Sequence, residues 1–240
     1  MQCRALDEQK LRCQNDAAAS DYCPAHRAAM EQRIGKAANL PAPRWRVLWN
    51  KFAASSHGVP DGGKYDVPKW LSGLSTPQVI EHLQTHPDSM ARWMAAFVLR
   101  KRRAADAFEA LWRARQQDPI RFVRQQAAVA LGKLDTPAVY APLVEGLHHD
   151  RDPGVREACA IALGNLGNPA AVDELVHALT REENVFVRWD CIVALGQLGD
   201  ARVEPLLTQL QTQESAQVVR DACRDARAEI QRRRAVSSNV

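Results

Sequence analysis

Three cysteines and one histidine near the start of the chain stand in the pattern Cys3-x9-Cys13-x9-Cys23-x2-His26. Three thiolates and an imidazole complete a tetrahedral zinc shell, and Cys23-Pro24-Ala25-His26 delivers two ligands from one tight knuckle. A four-ligand shell leaves no position open for water or substrate, so the expected metal is structural. The other three cysteines, Cys159, Cys191 and Cys223, obey a different rule: they recur every 32 residues, with Ala127 and Ala95 at the two preceding positions. A site shared by alanine and cysteine is small and buried, and a thiol there acts as a compact hydrophobe.

Little else in the chain has the spacing of a reaction centre. His82 and His86 are four apart and share a helix face, but they lack a third ligand, and His148-His149 are followed only by Asp150. No nucleophile–base pattern and no phosphate-binding loop occurs. The expectation is therefore a binding protein rather than an enzyme.

Clustered cations offer a second kind of chemistry. Arg100, Lys101, Arg102 and Arg103 are contiguous, and Arg92, Arg113, Arg115 and Arg121 lie nearby. Such a group can neutralise nucleic-acid phosphates, although a basic run at a helix C-terminus also complements the helix dipole. Residues 1–124 hold 20 basic against 12 acidic side chains, and residues 125–240 hold 12 against 16. The chain thus has a basic half and an acidic half, a dipole able to steer a charged partner.

The elements that position these groups follow from a repeat. Arg92, Arg124, Arg156, Arg188 and Arg220 are spaced by 32, as are Leu99, Leu131, Leu163 and Leu195, then Leu111, Leu143, Leu175 and Leu207, and also Gly132, Gly164 and Gly196. Within each unit the apolar residues have helical periodicity, as in Val155, Cys159, Ala162, Leu163 and Leu166. A capping residue before proline marks a preceding helix at Thr76-Pro77, Thr136-Pro137 and Asn168-Pro169. The spacing predicts helix pairs at 76–84 with 89–101, 104–115 with 121–133, 136–148 with 153–165, 169–180 with 185–197, and 201–211 with 216–233. One pair cannot bury its own apolar face, so the pairs must stack.

Composition agrees. The 240 residues are 46% hydrophobic but only 6% aromatic, rich in helix formers rather than strand formers. Because there is no run of 18 apolar residues and the first ten residues are polar, we expect a cytoplasmic protein that does not enter a membrane. The chain divides into a zinc knuckle at 1–35, a capping helix and Gly/Pro-containing loop at 36–75, helix pairs at 76–233 and a tail at 234–240. The capping helix, 43–56, carries Trp45, Val47, Leu48 and Phe52.

Segments such as Asp152-Pro153-Gly154-Val155-Arg156 and Ala162-Leu163-Gly164-Asn165-Leu166-Gly167 resemble HEAT repeats, in particular the short type noted in phycobilisome lyases. The resemblance implies an all-α fold, a right-handed α-solenoid of about five helix pairs. It also implies a ladder in which an acid ahead of each second helix pairs with the arginine inside it. Here the acid stands six residues before the arginine: Asp118 and Arg124, Asp150 and Arg156, Glu182 and Arg188, Glu214 and Arg220. His86 takes the acid's place ahead of Arg92, so the ladder is expected to stop there. The histidine–glutamate pairs that bind iron in HEAT-type hydroxylases are missing. The segments around Cys3, Cys13 and Tyr22-Cys23-Pro24-Ala25-His26 resemble a short zinc knuckle found at the ends of many bacterial and phage proteins.

In such a solenoid the second helices line the concave face. The position after the ladder arginine reads Trp93, Gln125, Glu157, Trp189 and Asp221. Its three polar members imply exposure, which would make both tryptophans anchors for a protein partner. A protein-binding scaffold is the leading expectation. The alternatives are a nucleic-acid-binding module using the Arg100–Arg103 group, and, from the resemblance, a lyase- or chaperone-like factor for a cofactor-bearing protein.

Overall fold

The computed structural model describes residues 69–237, which lie within a compact unit beginning at Tyr65. A short helix α1 (Lys69–Ser72) precedes five helix pairs: α2 (Thr76–Thr85) with α3 (Ser89–Arg102), α4 (Phe108–Gln117) with α5 (Arg121–Leu131), α6 (Tyr140–His149) with α7 (Pro153–Leu166), α8 (Ala171–Arg181) with α9 (Val185–Leu198), and α10 (Glu204–Gln213) with α11 (Gln217–Ser237). No strand occurs among the described residues.

Helix starts are set by short polar side chains that satisfy orphan backbone N–H groups. Asp152 accepts from Gly154 N at 2.9 Å, and Asn184 accepts from Phe186 N at 2.9 Å. Three of the first helices open instead through a 3-10 turn, at Ala105–Ala107, Pro137–Val139 and Ala201–Val203. At the first repeat the cap is Ser75 rather than Thr76, which already lies inside α2. The Ser75 N–H donates to Gln78 Oε1 at 2.9 Å.

Helix ends show the ruler again. Gly167 and Gly199 close α7 and α9 with φ of +67° and +76°, the left-handed region where glycine meets no steric penalty. The equivalent residue after α5 is Asp135, and there the helix ends earlier, at Leu131, through tightened turns from Lys133 N to Ala130 O and from Leu134 N to Leu131 O. After α3 the position is Arg103, which adopts φ +50° despite its side chain.

The core lies between the two helices of each pair. Leu99, Leu131, Leu163, Leu195, Leu111, Leu143, Leu175 and Leu207 are all fully buried, as are Ala95, Ala127, Cys159, Cys191 and Cys223. Second helices pack on one another along the stack more closely than first helices do. Glycine permits this. A Cβ placed on Gly164 would meet the Ala194 Cα at 2.9 Å, and one on Gly196 would meet the Ala226 Cα at 2.9 Å.

Candidate partner-binding face

The ladder is inter-repeat. Arg124 donates from Nε to Asp150 Oδ2 at 3.0 Å and from NH2 to Oδ1 at 3.1 Å, and its NH1 donates to the Asp118 carbonyl at 3.1 Å. The acid six residues ahead thus supplies its backbone oxygen, while its carboxylate belongs to the arginine of the preceding repeat. Arg92 with Asp118, Arg156 with Glu182 and Arg188 with Glu214 repeat the arrangement. Each acid also accepts from the backbone two residues on, as Asp150 does from Asp152 N at 2.9 Å. Because the carboxylate comes from the following repeat, His86 does not end the ladder. Arg92 binds Asp118 at 2.7 Å and takes the His86 carbonyl at 2.9 Å. The terminus falls at Arg220, which donates to the Glu214 and Ser215 carbonyls and to Gln217 Oε1.

The electrostatics match this geometry. The Asp118 hydrogen bond holds the Arg92 guanidinium above its ordinary value. Burial pulls Arg156 downward, but the hydrogen bond and charge of Glu182 outweigh it and leave the value raised. Both Arg124 and Asp150 are almost wholly buried, at 4% and 6% side-chain exposure. Paired and hydrogen-bonded in this way, the charges hold consecutive repeats in register.

The row after the arginine is not exposed. Trp93, Gln125, Glu157 and Trp189 are all buried, and only Asp221 in the last repeat is half-buried. Within α3, Trp93 stacks on Phe97 one turn along, with ring centroids 5.6 Å apart. Polar occupancy therefore does not mark solvent here, and these residues do not present a surface to a partner.

Four residues further on stands the row that does face outward. It reads Phe97, Val129, Ile161, Val193 and Asp225; Ile161 is 38% exposed, Val129 and Val193 are half-buried, and Phe97 lies under its neighbours. One turn beyond on their helices come Lys101, Asn165 and Gln197, and at the matching position after α5 stands Lys133, in the turn that follows the helix. The signal was present in the sequence. Val129 and Leu131 are two apart, about 200° around a helix, so both cannot point into one core.

The basic run is divided among several tasks. Arg102 donates to the Ser72 carbonyl at 3.0 Å and the Leu74 carbonyl at 2.8 Å, fastening the turn between α1 and α2. The Arg100 guanidinium lies over the Phe97 ring at 4.6 Å, and burial lowers its value. Lys101 and Arg103 are exposed. A further cluster escaped sequence reasoning: Arg115, 3% exposed, sits where other repeats have Leu83, Leu147 and Leu179, and pairs with Glu145 at 2.5 Å. Gly146 makes room for it, since a Cβ there would meet Arg115 Cδ at 3.2 Å and Cys159 Sγ at 2.5 Å. An arginine at a leucine position was the available clue.

Among the described residues, no group of three histidine, cysteine or carboxylate side chains has the arrangement to hold a metal ion, and no helix is long and apolar enough to cross a membrane. The rings of His82 and His86 lie 5.5 Å apart. Cys3, Cys13, Cys23 and His26 lie outside the described residues, as does the expected helix at 43–56.

Residues 76–164 and 140–228 match the family described as HEAT repeats. The chain belongs to the HEAT-repeat family. Among solved structures, this HEAT-repeat chain is similar to the complex of CpcE and CpcF of phycocyanin lyase from Nostoc sp. PCC7120, at 26% identity and a TM-score of 0.56, covering 71% of this chain and 67% of that one. It is also similar to human deoxyhypusine hydroxylase, at 20% identity and a TM-score of 0.47, covering 88% of this chain and 100% of that one. No curated protein matches its sequence.

Proposed function

We propose that this HEAT-repeat chain is a non-catalytic scaffold that binds a protein partner on the outward face of its second helices. The observation that carries the reading is the row Val129, Ile161 and Val193, apolar side chains partly open to solvent on the side of α5, α7 and α9 opposite the core. Apolar side chains repeated in line along a surface suit protein contact. The conspicuous charges of the stack are meanwhile engaged internally, as Arg92, Arg124, Arg156 and Arg188 are by carboxylates of the next repeat.

The test is reconstitution with the protein recovered alongside the full chain from its native source. A defined complex by light scattering, with an affinity that falls only modestly as salt is raised, is the expected result. Recovery of nucleic acid alone, with binding that falls steeply with salt, would refute it in favour of a role for Arg100, Lys101 and Arg103 on phosphates. A second reading, a factor acting on a cofactor-bearing protein, draws on the similarity to the phycocyanin lyase complex. It predicts that the recovered partner carries a covalently attached group.

The proposal includes one structural zinc ion held by Cys3, Cys13, Cys23 and His26, supported by their donor set and by their separation from the repeat-phased cysteines. One zinc per chain, lost in Cys13→Ser with Cys23→Ser, is expected from metal analysis. Retention of the metal in that double variant would overturn the assignment.

A further inference from the structure

The exposed row narrows the kind of partner. We infer that it receives an extended protein segment in a polyproline-II-like conformation, with an acidic end over Lys101 and Lys133 and apolar side chains at every third position on Val129, Ile161 and Val193. The inference rests on the scaffold reading and specifies its ligand.

Spacing is the first argument. Equivalent residues of neighbouring second helices are separated by the distance between helix axes, about 8–10 Å and at the lower end of that range where glycine meets alanine. Gly132 against Ala162 and Gly164 against Ala194 put α5, α7 and α9 in that close class. A polyproline-II chain returns to the same face every three residues, about 9.3 Å, whereas two turns of α-helix advance about 10.8 Å. Across the two intervals from Val129 to Val193, at spacings of about 8–9 Å, the helix overshoots by about 4–6 Å and the extended chain by about 1–3 Å, so the extended chain keeps the closer register. A β-strand alternates faces at each residue, so its third residue points away.

Backbone chemistry is the second argument. A polyproline-II segment has no internal hydrogen bonds, so its N–H and C=O groups need outside partners. One turn beyond Ile161 on α7 stands the exposed amide of Asn165, able to donate and accept, and one turn beyond Val193 on α9 the half-buried amide of Gln197, whose Oε1 lies close over Gly164. A helical ligand has its backbone already satisfied and gains little from them.

Charge fixes the direction. At the corresponding positions of the first two repeats the amides give way to Lys101 and Lys133, both exposed and neither paired with a carboxylate among the described residues. Towards the other end, Asp221 and Asp225 are engaged by Arg224 at 2.9 Å and 3.6 Å. The unneutralised cations therefore lie at one end of the apolar row, and carboxylates on the ligand complete that end.

The test uses three labelled synthetic peptides and the full chain, read by fluorescence anisotropy. The first has glutamates followed by leucine at every third position among prolines and threonines. The second replaces the glutamates by lysines. The third keeps the glutamates but sets leucine at every seventh position of an alanine-rich helix. We expect the first to bind best, Ile161→Asp to weaken it at least about tenfold, and Lys101→Glu with Lys133→Glu to transfer the preference to the lysine-led peptide. Ile161 and both lysines are surface residues, and an unchanged melting curve verifies that each variant is folded. Equal binding of the helical peptide, or insensitivity to Ile161→Asp, would overturn the inference. If the native partner binds wild type and Ile161→Asp alike, the row is wrong and the scaffold reading stands. If no protein partner is found while the peptides behave as expected, the scaffold reading fails and the row remains a peptide site.

Discussion

Truncating the ladder at three depths separates the contribution of its carboxylates from that of its carbonyls. Arg124→Ala removes two charge-assisted hydrogen bonds to Asp150 and one to the Asp118 carbonyl. Asp150, 6% exposed in the intact pair, keeps the Asp152 N–H and the more distant charge of Arg156. Breaking a buried pair in this way costs about 3–5 kcal/mol, most of it the penalty of an uncompensated charge. Arg156→Ala acts at a more open site, 19% and 11% exposed, where about 1–3 kcal/mol is expected. Arg220 keeps the carbonyl contacts to Glu214 and Ser215 but meets Gln217 in place of a carboxylate. Its loss should cost only about 1–2 kcal/mol. Urea unfolding followed by circular dichroism gives the order Arg124, Arg156, Arg220, provided the slope with denaturant is unchanged. The Arg124→Ala effect should persist in high salt, because buried pairs are poorly screened. Equal losses at Arg124 and Arg220 would refute the reasoning, since the carbonyl contacts common to both would then account for the whole effect.

Three other perturbations test separate features. Arg103→Gly should raise stability by about 0.5–1 kcal/mol by relieving a left-handed residue at φ +50°; a lower denaturation midpoint would show that its side chain makes a contact worth more than the strain. Burial pushes the Cys159 thiol up to about 12 and the Cys223 thiol up to about 11, and it raises Cys191 as well. Peptide mapping after alkylation at pH 8 should find these three unmodified in the native protein and modified in urea; native labelling at Cys159 would contradict its burial. Burial raises the Glu145 carboxyl, but hydrogen bonds from Gln116 and Arg115 and the charge of Arg115 bring it below its ordinary value. A depressed carboxyl contributes stability that is complete above its unfolded value and is lost as pH falls through the folded one. Glu145→Gln should therefore flatten the acid side of the stability profile, and an unaltered slope would remove Glu145 from the account.

The division into helix pairs was legible because one 32-residue ruler carries several kinds of residue with different physical duties. Leucines at the ruler's marks fill the space between paired helices, and glycines let second helices approach. The partnership within the ladder was not legible from spacing. An acid six residues before an arginine and an acid 26 residues after it recur equally in a 32-residue repeat, since the two intervals make up the period. Only the ends break the tie: Arg220, which meets no carboxylate among the described residues, and Arg92, which pairs with Asp118, identify the second arrangement.

The surface was misread for a related reason. Three polar residues in the row of Gln125 suggested solvent, but burial on a closely packed helix layer depends on what the adjacent repeat places alongside. Gln125 and Glu157 are buried, at 7% and 4% exposure, although they are polar. Val129 and Ile161, about 40° further round their own helices, face outward although they are apolar. Hydrophobicity at a single position therefore could not distinguish core from surface. The angle to Leu131 and Leu163, two residues on and fully buried, could have done so. For this stack the direction of a side chain, not its polarity, determines whether a partner can reach it.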